Sequence, residues 1–167
     1  MYQKRKQYED MRAINRIIIH CSATPEGKDY TVDTIRKWHK QKGYSDIGYH
    51  YVIYRDGSIM KGRPLEKIGA HTVGYNTGSI GICYIGGLAK DCKTPKDTRT
   101  KEQKESLLKL VHSLKEQFPN ATIHGHNEFA AKACPSFNVQ EWYKKEYLPF
   151  VESLKKNNNY IYKCNLK

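Results

Sequence analysis

The chain contains no run approaching 18 consecutive apolar residues, which excludes a membrane-spanning helix. No apolar segment follows the positively charged start, Met1-Tyr2-Gln3-Lys4-Arg5-Lys6, so the layout of a secretory signal is missing. The reading is of a protein made and folded in the cytoplasm, without stable membrane insertion. The five cysteines, Cys21, Cys83, Cys92, Cys134 and Cys164, are odd in number and contain no C-x-x-C pair. That spacing argues against a disulfide framework. Cys21 and Cys83 lie in apolar runs and read as buried small hydrophobes. Acidic residues are scarce, 17 against 29 Lys and Arg, for a net charge of +12. Such an excess suits a polyanionic partner, and nucleic acid, an anionic wall polymer and an acidic membrane surface all qualify on charge alone. A solvated lysine-rich surface is the bland account of the same number. No nucleic-acid-binding motif is visible, so nucleic acid is not expected. Internal repeats are absent, and no Pro-, Gly- or Ser-rich linker divides the 167 residues, a single-domain length.

What is present alternates strand and helix signals. Arg16 to Cys21 is β-branched and apolar, and predicts a buried strand. Thr24-Pro25-Glu26-Gly27 marks a turn. Thr31 or Asp33 can cap a helix running to about Lys42, with Gly43 as its stop. Tyr49 to Arg55 and Ile59 to Lys61 read as two strands joined by a tight turn at Asp56-Gly57. Ser79 to Ile85 is a further apolar strand, stopped by Gly86-Gly87. The clearest helix is Thr100 to Phe118, with an apolar stripe of Leu107, Leu108, Leu110, Val111 and Leu114. A short strand, Ala121 to His124, follows Pro119-Asn120. Val139 to about Lys155 reads as helical with a break near Pro149. The expected class is therefore α/β, a single domain with a central mixed β-sheet flanked by α-helices.

Imidazole and thiolate side chains carry the chemistry. His20 ends the first strand, a rigid place from which to aim a ligand. His124 and His126 stand two residues apart, on one side if the strand continues through them. Cys134 lies eight positions beyond His126, in a loop-like stretch. Such donors suit Zn²⁺, and three protein ligands leave a position open for water, as in catalytic sites. Two neutral imidazoles and one thiolate leave the ion with a charge of about +1, enough to acidify water. One of His124 and His126 can ligate while the other orients water or substrate. Lys132, two residues before Cys134, can donate to a developing oxyanion. Tyr49 offers a hydroxyl for the same purpose or for orienting water. No H-E-x-x-H glutamate is present, and Glu128 is the nearest carboxylate to His126 in sequence.

Six segments, taken in order, resemble the N-acetylmuramoyl-L-alanine amidases of the phage-lysozyme type, the zinc amidase family that includes the peptidoglycan recognition proteins. They are Ile18-Ile19-His20-Cys21-Ser22-Ala23-Thr24, Arg36-Lys37-Trp38-His39, Gly48-Tyr49-His50-Tyr51, Arg55-Asp56-Gly57, Gly74-Tyr75-Asn76 with Ser79-Ile80-Gly81, and Lys132-Ala133-Cys134-Pro135-Ser136-Phe137. The resemblance spans about residues 14 to 147. It implies His20, His126 and Cys134 as ligands of one Zn²⁺ per chain, with His126 preferred over His124. It implies Tyr49 and Lys132 as the residues that assist catalysis, and His71 and Asn76 as lining the substrate groove. The implied activity is hydrolysis of the amide between N-acetylmuramic acid and L-alanine in bacterial peptidoglycan, by a monomeric, endolysin-like enzyme. A non-catalytic peptidoglycan-binding module of the same fold is the alternative. The implied divisions are a basic arm over 1–13, the zinc amidase domain over 14–150 and a C-terminal extension over 151–167.

Overall fold

The computed structural model describes residues 12–164, and side chains over 12–157; most of the expected arm and the end of the expected extension lie outside the described residues. In chain order the elements are β1 (Arg16–Cys21), β2 (Thr24–Pro25), α1 (Val32–Gln41), β3 (Tyr51–Ile53), β4 (Ile59–Lys61), β5 (Ser79–Tyr84), β6 (Gly87–Leu88), α2 (Lys101–Gln117) and β7 (Thr122–Gly125). A 3₁₀ turn (His126–Glu128), α3 (Val139–Trp142), a π-helical segment (Tyr143–Tyr147) and α4 (Leu148–Cys164) follow. Five strands form one mixed sheet in the order β4-β3-β5-β1-β7. All neighbours in it are parallel except the β3–β4 hairpin. β2 and β6 make a separate two-stranded ladder.

β1 lies between β5 and β7, which is why its run of three isoleucines is fully buried. Strand alternation divides the sheet into two faces. Ile17, Ile19, Ile53, Ile80, Ile82 and Tyr84 pack with Leu107, Leu110, Val111 and Leu114 of α2 and with Val139, Trp142 and Tyr147. Each such side chain contributes about 1.5–3 kcal/mol on burial. The smaller cluster on the α1 side holds Val32, Ile35, Ile47, Val52 and Ile85. His20, Ser79, Gly81 and Cys83 alternate out of phase with the α2-facing set and look away from it.

The helix ends follow their sequence signals. The Thr31 side chain accepts the Thr34 amide and starts α1. Gly43, at φ +89°, ends it: the Gly43 amide donates to Lys40 and the Tyr44 amide to His39, closing a Schellman turn. Thr100 and Gln103 form a reciprocal capping box at α2. Gln103 is fully buried, and its amide also donates to Ile53 O at 3.2 Å and Ile85 O at 3.0 Å, tying α2 to the sheet.

Three local expectations change. The strand expected over Tyr49 to Arg55 contracts to Tyr51–Ile53, and Tyr49 sits ahead of it. The strand bearing His124 ends at Gly125 and does not continue through His126, which opens the 3₁₀ turn. The break expected near Pro149 does not occur. The ladder has already shifted register in the π segment, where the Leu148 amide bonds Tyr143 O, and Pro149 falls in the first turn of α4. α4 therefore crosses residue 150, the expected edge of the amidase domain. Val151 packs on the main core, and the Phe150 ring meets His112 of α2 at 6.0 Å.

Candidate metal centre

His20 is completely buried near the end of β1, on the face opposite Ile19, with Cys83 as its neighbour in β5. His126 opens the turn that follows β7, and Cys134 stands in the loop beyond. Parallel pairing of β1 with β7 brings His126 to His20, ring centres 4.6 Å apart. Several contacts fix the loop that carries Cys134. The Tyr84 hydroxyl donates to Pro135 O at 2.7 Å, and the Ser136 hydroxyl donates to Gly87 O at 2.8 Å. The Arg99 guanidinium, paired side-on with Asp97, stacks over Phe137 at 3.4 Å.

One ligand atom from each of His20, His126 and Cys134 lies within 4.8 Å of the other two. His20 Nδ1 is 3.7 Å from Cys134 Sγ. A tetrahedral zinc with ordinary Zn–N and Zn–S bonds separates two such donors by about 3.6 Å. The donor set therefore fits Zn²⁺ in both chemistry and spacing. The backbone amide of Cys21 also donates toward Cys134 Sγ at 3.3 Å, which favours the thiolate.

The electrostatics point the same way. Burial lowers the His20 pKa well below the ordinary imidazole value, and His71, His126 and Lys132 lower it further. Burial, then Lys132, lowers His126. Both rings are thereby neutral, the form that ligates metal. Cys134 is raised by its hydrogen bond with Cys21 and by burial, so its proton must leave when a metal binds. Lys132 is exposed, at the rim of the centre, near enough to act on both imidazoles. The Tyr49 ring lies 5.1 Å from that of His20. Burial pushes its phenol well above the ordinary tyrosine value, so it remains a neutral hydroxyl.

The two histidines that are close in sequence part company in space. His124 stays on β7, with Nδ1 3.0 Å from Glu128 Oε1 and Nε2 2.8 Å from Thr122 Oγ1. Glu128 also accepts the Gly125 amide at 2.6 Å and the Gln140 side chain at 3.0 Å. Its carboxylate is thus occupied in holding the turn that presents His126. His71 sits behind His20, only 9% exposed, with its Nδ1 2.9 Å from His20 Nε2. Burial pushes its pKa down to about 3. Asn76 Oδ1 accepts the amides of both His71 and Thr72 at 2.9 Å. Sequence reasoning did not single out Thr72 or the amide of Cys21, and Ser79 entered it only as the start of a strand and within the Ser79-Ile80-Gly81 segment. A backbone amide leaves no trace in residue identity, and Thr72 belongs to no motif.

Comparison with known proteins gives a consistent picture. The family described as N-acetylmuramoyl-L-alanine amidase matches residues 10–137. An endolysin of Escherichia phage T7 is 40% identical over 145 residues, covering 86% of this chain and 95% of its own. A peptidoglycan-recognition protein of Drosophila melanogaster is 29% identical over 140 residues, covering 81% of this chain and 75% of its own. Among solved structures, the N-acetylmuramoyl-L-alanine amidase LysC of Clostridium intestinale superposes with a TM-score of 0.68 at 29% identity, covering 83% of this chain and 87% of that one.

Proposed function

Because the chain belongs to the N-acetylmuramoyl-L-alanine amidase family, we propose that His20, His126 and Cys134 hold one Zn²⁺ per chain and that Tyr49 and Lys132 serve the cleavage beside it. The chain is a peptidoglycan amidase. The bond it hydrolyses joins the lactyl group of N-acetylmuramic acid to the L-alanine of the stem peptide. The observation that carries the metal assignment is the convergence of two neutral imidazoles and a thiol from positions up to 114 residues apart.

Zinc supplies Lewis acidity, toward water and toward the amide carbonyl. The protein supplies the rest. Lys132 offers its Nζ protons to the oxygen that turns negative as the carbonyl is attacked, a contact that strengthens only as charge develops. Its place in the loop of Cys134 ties that donor to the metal centre. Burial raises the Tyr49 phenol, which suits its Oη to donate to and align the attacking water or the carbonyl. Glu128 accepts from Gly125, His124 and Gln140 and so serves to hold the turn that presents His126.

The polymeric substrate is the bacterial wall, and the net charge of +12 draws the protein toward its anionic polymers. Among the described residues, no helix is long and apolar enough to cross a membrane. The chain acts as a monomer in this reading. Mass spectrometry of muropeptides from digested wall, with and without a chelator, tests the assignment. New L-alanine amino termini that vanish on chelation are expected. Cleavage at another bond, or undiminished cleavage after metal removal, would overturn it. Wall binding with no cleavage at all would identify the non-catalytic module instead.

A further inference from the structure

We propose that His71 is a positioning residue for the metal centre: it fixes the ring orientation and tautomer of His20, so that Nδ1 faces the metal and Nε2 carries the proton. The inference rests on the centre proposed above and assigns His71 a role distinct from lining a groove. His20 has one nitrogen on each side of the problem. Nδ1 looks toward Cys134 Sγ at 3.7 Å, and Nε2 looks toward His71 Nδ1 at 2.9 Å and Thr72 Oγ1 at 3.3 Å. A ligating Nδ1 must be bare, so Nε2 holds the hydrogen and donates it to His71 Nδ1. His71 in turn carries its hydrogen on Nε2 and donates to Ser79 Oγ at 3.2 Å, and the Ser79 hydroxyl donates to Asn76 O at 3.3 Å. Every nitrogen in the relay is satisfied with both rings neutral.

The surroundings hold the His71 ring in that place. A Cβ on Gly81 would stand 2.6 Å from His71 Cδ2, and one on Gly69 at the same distance, so two glycines form the notch that the ring fills. Thr72 Oγ1 lies 3.0 Å from His71 Nδ1 and closes the triangle with His20. Asn76 anchors the backbone beneath through the amides of His71 and Thr72. A carboxylate in this position would add negative charge behind the ligand. A neutral imidazole orients His20 without it, which preserves the acidity of the metal.

The test is zinc affinity without substrate, read by competition with a chromophoric chelator, together with ¹⁵N shifts of the His20 ring in the zinc-loaded protein. His71→Leu removes the acceptor and is expected to weaken zinc about 10–100-fold and to blur the tautomer signature. His71→Asn keeps an acceptor near the Nδ1 position and is expected to restore affinity to within about threefold of the parent. Wild-type zinc affinity in His71→Leu, with only KM raised, would overturn the proposal in favour of a groove-lining ring. If His71→Leu fails to fold by circular dichroism, Ser79→Ala decides, since it leaves the His71 Nε2 hydrogen without its acceptor. Weaker zinc binding in that variant supports the relay, and unchanged binding overturns it. Failure of the parent protein to bind zinc would instead strike the metal centre itself, an outcome the same titration separates.

Discussion

If Cys134 ligates zinc as proposed, metal and proton compete for its Sγ, and the surrounding groups set how many protons that competition involves. Hydrogen bonding with Cys21 and burial raise the Cys134 thiol, so it is protonated near neutral pH. His20 and His126 are both lowered, the first well below the ordinary value, and carry no proton to surrender there. Metal binding should therefore release one proton, from sulfur. A ligand whose pKa lies above the working range binds metal more tightly as pH rises, because fewer protons oppose the metal. Affinity should climb about tenfold between about pH 6 and 7, or about 1.4 kcal/mol, and flatten above about pH 7, because the hydrogen bond from Cys134 lowers Cys21 to about 7 and a thiolate there can take up the released proton. Chelator competition at several pH values, corrected for the protonation of the chelator, gives the slope. Calorimetry in buffers of different ionisation enthalpy counts the protons directly. In Cys134→Ser both the affinity and the slope should collapse. A slope near zero in the parent protein over the lower part of the range would refute the reasoning, since it would mean a sulfur already ionised or not bound. A slope of two or three between about pH 6 and 7, below the range where a zinc-bound water is largely ionised, would refute it differently, by showing imidazoles that titrate.

Lys132→Ala should keep zinc affinity yet lose about 10²–10³ in kcat on wall substrate, the usual cost of one oxyanion donor; full activity would remove it from the reaction. Tyr49→Phe should likewise retain zinc and lose about 10²-fold in rate, measured by release of L-alanine amino termini. Gly87→Ala should lower stability by about 1–3 kcal/mol in a thermal melt. Its φ is +101°, and the added Cβ would collide with Cys21 Sγ. Leu107→Ala removes a side chain only 1% exposed. It should cost about 3 kcal/mol, a fall in Tm of about 6–12 °C.

Elements whose signal is local were legible in the chain. The isoleucine run of β1, the leucine stripe of α2 with its Thr100 cap, and the Gly43 stop of α1 each follow from periodicity and backbone preference. The three proposed metal donors were legible as residue types, the ordered resemblance selected among them, and the fold brings them together. What escaped depends on contacts across the fold. His126 leaves the line of His124 because Glu128 reaches back to the Gly125 amide and bends the chain there. Pro149 is absorbed because the helix before it had already slipped register. His71 comes to rest behind His20 because Gly69 and Gly81 leave room for its ring, and no periodicity encodes that.

The threading of the sheet has one more consequence. β1 comes first in sequence yet lies between β5 and β7, on opposite sides of the exposed stretch from Lys90 to Lys96. A chain severed in that stretch would yield one fragment with His20 alone and another with His126 and Cys134. Neither half would own a full set of donors, and only their reassembly along the β1–β7 ladder would complete it.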